Sequence, residues 1–90
     1  MKKVSAIIVN WNGKDVLSDC LQSLLKQNYA NLEIWVSDNG SEDGSQTMVT
    51  ERFPSVHLLE NGENLGFGTA INRVLQKAKA DYFLFLNNDL

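Results

Sequence analysis

Four short apolar runs alternate with helical patterns along this chain, and that alternation constrains the fold more than any other feature. The first run, residues 4–9, is continuous and rich in β-branched residues, which is typical of a strand covered on both faces of a parallel sheet. Similar runs follow at residues 32–37, 56–59 and 82–86. We therefore predict four strands, of which the first and the last are buried parallel strands.

Helical periodicity fills the first gap between these runs. Apolar residues recur at i, i+1, i+4, i+5, i+8 and i+9 over residues 16–25, which is the stripe of an amphipathic helix. Asn12 is expected to cap this helix, with Asp15 three residues further on as a variant of the capping box. The helix is expected to end near residues 27–28.

Shorter stripes predict two more helices, one capped by Asp43 and ended by Pro54, the other beginning at Thr69. Asn-Gly pairs at residues 12–13, 39–40 and 61–62 are strong hairpin signals, but the first two lead into helical stripes and are read as strand-to-helix turns. The predicted order is β-α-β-α-β-α-β. With right-handed crossovers this is an α/β fold, a Rossmann-like parallel sheet with helices on both faces.

Length and charge exclude several classes of protein. Ninety residues make one domain at most. The net charge is −3 and the eight basic residues are scattered, so no nucleic-acid partner is expected. The longest apolar stretch is far below the ~20 residues that a membrane span needs. A lone cysteine, Cys20, excludes an internal disulfide and fits a reducing compartment.

Polar residues follow every predicted strand. In an open parallel sheet, ligands bind at the carboxyl ends of the strands. A single solvated strand end would also favour Asn and Asp as turn formers, but four such ends on one edge favour a ligand site. These ends hold Asn10-Trp11-Asn12, Asp38-Asn39, residues 61–68 and Asn87-Asn88-Asp89.

The residue types at this edge favour an anionic ligand that binds together with a divalent cation. The phosphate-binding patterns G-x-x-x-x-G-K and G-x-G-x-x-G are absent, and no lysine cluster lies at the edge. Magnesium and manganese bridge carboxylates to phosphate oxygens, and Asp89 is the candidate carboxylate. Asp38 stands where nucleotide-binding sheets commonly place an acceptor for a base or ribose. Trp11 is a candidate apolar wall.

Five segments together resemble one enzyme family. They are "VSAIIVNWNG", "LSDCLQSLLKQNY", "LEIWVSDNGSEDGS", "NLGFGTAIN" and "DYFLFLNND", in this order and spacing. They are similar to the inverting nucleotide-sugar glycosyltransferases of the GT-A fold, glycosyltransferase family 2, and to its rhamnosyltransferase-like subgroup. The resemblance implies an enzyme of bacterial polysaccharide biosynthesis. Such an enzyme would transfer a sugar from a UDP- or dTDP-linked donor to a glycan or lipid-linked acceptor with inversion.

The resemblance also implies roles for matching positions. The first strand end would line the base pocket, Asp38 would hydrogen-bond the base, and Ser41 and Asp43 would shape their loop. The D-x-D motif of the family falls on residues 87–89, with asparagine in place of its first aspartate, so binding of Mn²⁺ or Mg²⁺ would depend mainly on the last position. The implied nucleotide-binding residues are Val9, Asn10, Trp11, Asp38, Asn64, Gly66, Phe67, Asn87 and Asn88, and the implied metal ligand is Asp89.

In this family the general base and the acceptor site follow the D-x-D motif, so the base is expected beyond Leu90. We therefore expect residues 1–90 to be the donor-binding part of a longer transferase, truncated after the D-x-D-like motif and inactive alone. The intact protein is expected in the cytoplasm or at the inner face of the membrane, and the uncovered last strand predicts self-association of this piece. Two alternatives are a dinucleotide-binding Rossmann-type domain, which Asp38 supports and the missing glycine fingerprint opposes, and a non-catalytic interaction module.

Overall fold

A computed structural model describes residues 2–27 and 29–87 as a parallel sheet with helices on both faces. The strand order is β3-β2-β1-β4, with β1 paired to both β2 and β4. The predicted α/β fold and its element order are confirmed. The elements are β1 (Val4–Asn10), α1 (Lys14–Lys26), β2 (Leu32–Asp38), α2 (Ser45–Arg52), β3 (His57–Glu60), α3 (Phe67–Leu75) and β4 (Tyr82–Asn87).

Strand β1 lies at the centre because both of its faces are apolar. Ile8 belongs to the core that α1 and α2 form on one face of the sheet. Ile7 and Val9 belong to the smaller core that α3 forms on the other face. The two clusters are completed by the buried stripes of the helices, which include Leu17, Leu21, Met48 and Val49 on the first face and Ala70, Ile71 and Val74 on the second.

The predicted helix cap at Asn12 is wrong. Helix α1 has Gly13 as its N-cap residue, which has no side chain with which to cap the helix. Asn12 instead adopts the left-handed conformation, with φ of 52°. Its side-chain oxygen accepts a hydrogen bond of 2.7 Å from the N–H of Glu42. Asn12 therefore connects the end of β1 to the loop after β2, and Asp15 contributes only a carboxylate to the first turn of the helix.

The boundaries of two other elements differ slightly from the predicted ones. Helix α3 begins at Phe67, two residues before Thr69, because the chain already turns at Gly66, whose φ is 81°. Strand β3 is shifted by one residue from the predicted range 56–59. The predicted end of α1 is confirmed at Gln27, its C-cap residue, while Asn28 lies outside the described residues.

Strand β4 is less buried than its apolar sequence predicts. It is an edge strand, and its side chains from Tyr82 to Phe85 are between 37% and 59% exposed. Strand β1 beside it is buried from Ser5 to Asn10. The apolar run thus identified a strand, but no described element covers these side chains. None of the described helices is long and apolar enough to cross a membrane.

Two glycines test how closely the loops after β2 and β3 pack. Gly40 and Gly62 share a φ of 79°, but a Cβ at Gly40 would lie 3.0 Å from the backbone of Glu63, whereas a Cβ at Gly62 meets nothing within 4 Å. Both alanine variants carry the cost of the left-handed conformation, about 1–2 kcal/mol. We expect Gly40→Ala to lower the free energy of unfolding by at least about 1 kcal/mol more than Gly62→Ala, because it also forces the loops apart. Urea denaturation measures the difference, and equal losses would contradict the close packing.

Candidate nucleotide-binding cleft

A cleft of about 290 Å³ opens at the carboxyl ends of β1 and β4, beside the N-terminus of α3. The helices that follow β1 and β2 lie on one face of the sheet and α3 lies on the other, so the chain reverses its winding between β1 and β4. Such switch points are where open parallel sheets bind ligands. The cleft is lined by Val9, Trp11, Asn39, Asn64, Gly66, Phe67 and Asn87.

Six of these seven residues are predicted nucleotide-binding residues, and the seventh is Asn39. The structure does not bring Asn10 and Asp38 to the cleft, because these paired residues lie on the opposite, α1 and α2, face of the sheet, where they are 0% and 1% exposed. Within residues 2–27 and 29–87, no three His, Cys, Asp or Glu side chains are grouped in a way that could hold a metal ion.

The last three positions of the sequence, Asn88, Asp89 and Leu90, lie outside the described residues. The first was predicted to bind the nucleotide and the second to bind the metal, and the general base was expected beyond the third. The metal ligand at Asp89 and a base beyond Leu90 therefore stay predictions.

The end of β2 places three consecutive polar residues in the interior. Ser37, Asp38 and Asn39 are 0%, 1% and 3% exposed. A buried polar group is costly unless it is hydrogen-bonded. Because side chains alternate along a strand, Asp38 is directed to the α1 and α2 face, and Ser37 and Asn39 are directed to the α3 face. Each face therefore holds its own hydrogen-bond network.

We call the first network the serine hub and define it as Asn10, Asp38, Ser41 and Gln46. One oxygen of Asp38 accepts hydrogen bonds from Asn10 Nδ2 at 2.8 Å and from the Ser41 hydroxyl at 2.7 Å. The other accepts from the Ser41 N–H at 2.9 Å and from Gln46 Nε2 at 2.8 Å. These four bonds fill the acceptor capacity of the carboxylate with donors from the protein itself.

The serine hub also holds the segment that carries Trp11. Ser41 Oγ accepts hydrogen bonds from Asn10 Nδ2 at 3.2 Å and from the N–H of Asn12 at 2.9 Å. The residues on both sides of Trp11 are therefore tied to the same hydroxyl. Trp11 itself is 45% exposed and forms one wall of the cleft.

We call the second network the asparagine latch and define it as Asn39, Asn61 and Asn64. Asn61 Nδ2 donates to Ser37 Oγ at 2.9 Å and to Asn39 Oδ1 at 2.8 Å. Asn39 Nδ2 donates to Asn64 Oδ1 at 3.3 Å and to the Gly66 carbonyl at 3.2 Å. Asn64 Oδ1 also accepts from the Gly66 N–H at 3.0 Å. The latch thus ties the loop before α3 to the end of β2.

Asp43, which the sequence predicted as a cap of α2, lies two residues after Ser41 in the same loop. The N-cap residue is Gly44, but the Asp43 carboxylate accepts hydrogen bonds from the N–H groups of Ser45 and Lys14, both at 3.0 Å. Partial burial opposes ionisation of Asp43, but these bonds and the Ser45 hydroxyl outweigh it and hold the pKa of the carboxyl below its ordinary value. Asp43 therefore connects the starts of α1 and α2, which is the loop-shaping role expected of it.

Asn39 is the residue that sequence reasoning missed. The pattern drew attention to Asp38 because it is a carboxylate at a strand end. The signal that could have identified Asn39 was the alternation of the strand, which sends neighbouring residues to opposite faces. Since Ile7 and Val9 face α3 and Ile8 faces α1, only one of Asp38 and Asn39 can face the same side as the cleft.

Comparisons with known proteins identify the family of this chain. The family model for glycosyl transferase family 2 matches residues 5–90. An uncharacterized glycosyltransferase of Rickettsia typhi is 34% identical over 86 residues, covering 96% of this chain and 27% of the relative. The N-acetylglucosaminyl-diphospho-decaprenol L-rhamnosyltransferase of Mycobacterium tuberculosis is 36% identical over 69 residues, covering 77% of this chain and 22% of the relative.

Solved structures match as well. The mannosyltransferase PcManGT from Pyrobaculum calidifontis, in complex with GDP-Man and Mn²⁺, superposes with a TM-score of 0.87 at 26% identity, covering 98% of this chain and 28% of that one. TarS of Staphylococcus aureus superposes with a TM-score of 0.85 at 26% identity, covering 97% and 27%. The chain spans about a quarter of the length of the Rickettsia typhi and Mycobacterium tuberculosis relatives. Because the family model covers nearly all of it and the fold agrees, the chain belongs to glycosyl transferase family 2 and has the sheet of the GT-A fold.

Proposed function

We propose that the cleft binds the nucleotide diphosphate sugar donor of a glycosyltransferase. The observation that carries the proposal is the convergence of six predicted donor-binding residues on one cleft at the carboxyl ends of the strands. The intact protein would transfer the sugar, from a UDP- or dTDP-linked donor, to a glycan or lipid-linked acceptor with inversion. The complex of the mannosyltransferase neighbour with GDP-Man and Mn²⁺ supports a nucleotide-sugar ligand.

The two walls of the cleft suit different parts of such a donor. The exposed ring of Trp11 offers a flat apolar surface on which a base can stack. On the opposite wall, Gly66 and Phe67 begin α3, and the N–H groups at a helix N-terminus favour an anionic group. A Cβ at Gly66 would meet no atom within 4 Å, so the open space there allows a ligand to approach the backbone. We assign the base to the Trp11 wall and the diphosphate to the Gly66 wall.

The proposed metal is Mn²⁺ or Mg²⁺, held by Asp89 with help from Asn87. None of the seven described lining residues carries a charge, so a diphosphate in this cleft needs a cation from another source. Amide and carboxylate oxygens are the ligands that these hard cations prefer, and Asn87 lines the cleft at the end of β4. When bound, the cation would stabilise the departing diphosphate.

Asp38 contributes to this site indirectly, through its hydrogen bonds to other residues of the protein. Its four hydrogen bonds to protein donors leave no acceptor free for a base, and it is almost completely buried. We propose that Asp38 and Asn10 position the Trp11 segment through Ser41, in place of the direct base contact that the family resemblance implies for Asp38.

The catalytic base and the acceptor site are proposed to lie beyond Leu90, in a longer transferase of which this chain forms the donor-binding part. Relatives that are about four times as long support this division. We propose a cytoplasmic location, at the inner face of the membrane where the acceptor is lipid-linked.

Titration of the chain with UDP, dTDP, GDP and NAD, with and without Mn²⁺, tests the proposed ligand by calorimetry. We expect binding of UDP or dTDP that strengthens at least tenfold with Mn²⁺, because the cation neutralises the diphosphate. Asp89→Ala should abolish the gain from the metal, whereas Asp81→Ala, at the opposite end of β4, should leave it unchanged. NAD binding that is indifferent to Mn²⁺ would instead support a dinucleotide-binding domain. A chain that remains folded by circular dichroism and binds none of the four would support an interaction module.

Asp38→Asn tests whether this carboxylate stabilises the protein through its hydrogen bonds to protein donors or instead contacts the ligand. Either orientation of the new amide sets an NH₂ group against N–H donors that now bond the carboxylate. We expect the free energy of unfolding to fall by about 1–3 kcal/mol in urea denaturation. Asp19→Asn, the same change on the exposed face of α1, should have almost no effect. Unchanged stability combined with lost nucleotide binding would mean that Asp38 contacts the ligand directly.

We also propose that the 90-residue chain self-associates through β4, because β4 is the outer strand of the sheet within the described residues and carries exposed apolar side chains. Phe83 and Phe85 lie together on one face, with ring centroids 6.4 Å apart. The mass measured by light scattering should rise with concentration. Phe85→Lys should suppress this rise, and Val16→Lys, at a similarly exposed site on α1, should not. A monomer at every concentration would disprove the association.

A further inference from the structure

We propose that Asn39 is a positioning residue that holds the Gly66–Phe67 wall of the cleft closed against the donor diphosphate. The inference rests on the proposed donor site for its ligand, but the latch itself rests on the contacts of the described residues. Asn39 is 3% exposed and joins two segments that are distant in sequence, the end of β2 and residues 64–66.

The side chain of Asn39 uses both of its ends in this role. Its oxygen accepts from Asn61 Nδ2, and its NH₂ group donates to Asn64 Oδ1 and to the Gly66 carbonyl. That carbonyl also accepts the first hydrogen bond of α3, from the N–H of Ala70 at 3.3 Å. Asn39 therefore holds the residue at which α3 begins.

The backbone around Asn39 is equally constrained. Its N–H donates to the Asn10 carbonyl at 2.9 Å, and the N–H of Asn61 donates to the Asp38 carbonyl at 2.8 Å. These bonds extend the pairing of β1, β2 and β3 by one residue past the strands. The anchor of the latch thus belongs to the hydrogen-bonded sheet, while the segment that it holds, residues 64–66, lies in the loop between β3 and α3.

The directions of the hydrogen bonds provide a matched pair of variants. Asn39 donates through its NH₂ group, so Asn39→Asp replaces that donor with an acceptor that faces two other acceptors. Asn64 acts in the latch only as an acceptor, so Asn64→Asp keeps both of its hydrogen bonds. The two variants make the same chemical change, add the same charge and lie in the same network.

Hydrogen exchange of the ligand-free chain tests the latch directly. We expect Asn39→Asp at pH 8 to lower the protection of the Gly66 and Ala70 amides by about tenfold or more, since the variant loses two hydrogen bonds and creates a repulsion. Amides of β1 and α1 should keep their protection. Asn64→Asp should leave the protection of Gly66 near that of the wild type.

The pH profile separates this role from a general loss of packing. Protonation of the carboxyl introduced by Asn39→Asp restores one donor, so the lost protection, relative to intrinsic exchange rates, should partly return between pH 8 and pH 5. Burial among acceptors shifts that protonation above the ordinary pKa of about 3.9. Three other titratable side chains lie on the neighbouring segments of the sequence: Asp38, Glu60 and Glu63. They are also present in the wild type, so the pH profile of amide protection in the wild type provides the reference.

Nucleotide binding then connects the latch to the donor. If the proposed site is correct, Asn39→Asp should weaken UDP by about tenfold more than it weakens uridine, with part of the loss recovered at pH 5 relative to the wild type. Two results would overturn the latch. One is unaltered protection of the Gly66 amide in Asn39→Asp, and the other is an equal loss of Gly66 protection in Asn39→Asp and Asn64→Asp. Altered protection in a chain whose wild type binds no nucleotide would overturn its role toward the donor and leave the loop contact standing.

Discussion

The burial of Ser37, Asp38 and Asn39 is the constraint on which the rest of this site depends. Three consecutive polar side chains at the end of β2 are stable in the interior only because each one is hydrogen-bonded. The alternation of the strand divides these bonds between the two faces of the sheet. One network reaches β1 and α2, and the other reaches the loop before α3. The cleft lies between a wall held by the first and a wall held by the second.

Much of the fold could be predicted because it follows from hydrophobic patterning. The apolar run of β1 faces helices on both sides, so its central position and the helical layers were accessible from the sequence. The helix caps were less accessible. Asn12 is a residue type that commonly caps helices, but its backbone is left-handed and its side-chain oxygen accepts from the N–H of Glu42. Only the folded sheet brings these two residues together. The exposure of β4 was also hidden, since an apolar run does not reveal whether another layer covers it.

The candidate site, like the fold, could be predicted from the sequence only in part. Strand-end position was enough to predict that Trp11, Gly66 and Asn87 lie at one edge of the sheet, because parallel strands end on one edge, whereas Val9 came from the family resemblance. It was not enough to distinguish Asp38 from Asn39. The charge of Asp38 suggested a ligand contact, whereas its environment provides four protein donors, and the neutral Asn39 lines the cleft instead. Hydrogen-bond saturation is a property of the assembled loops, and the sequence does not display it.

An uncharged cleft between these two hydrogen-bonded networks is suited to a ligand that brings its own charge and counter-ion. A nucleotide diphosphate with a divalent cation is such a ligand. The most direct test of this cleft as the donor site is a chemical-shift map of the ¹⁵N-labelled chain titrated with UDP and Mg²⁺. We predict that the largest shifts fall on the Trp11 indole N–H and on the amides of Asn39, Gly66 and Phe67, the residues of the two walls. Shifts concentrated at the opposite end of the sheet, around Glu33 and His57, would contradict the assignment of this cleft as the donor site.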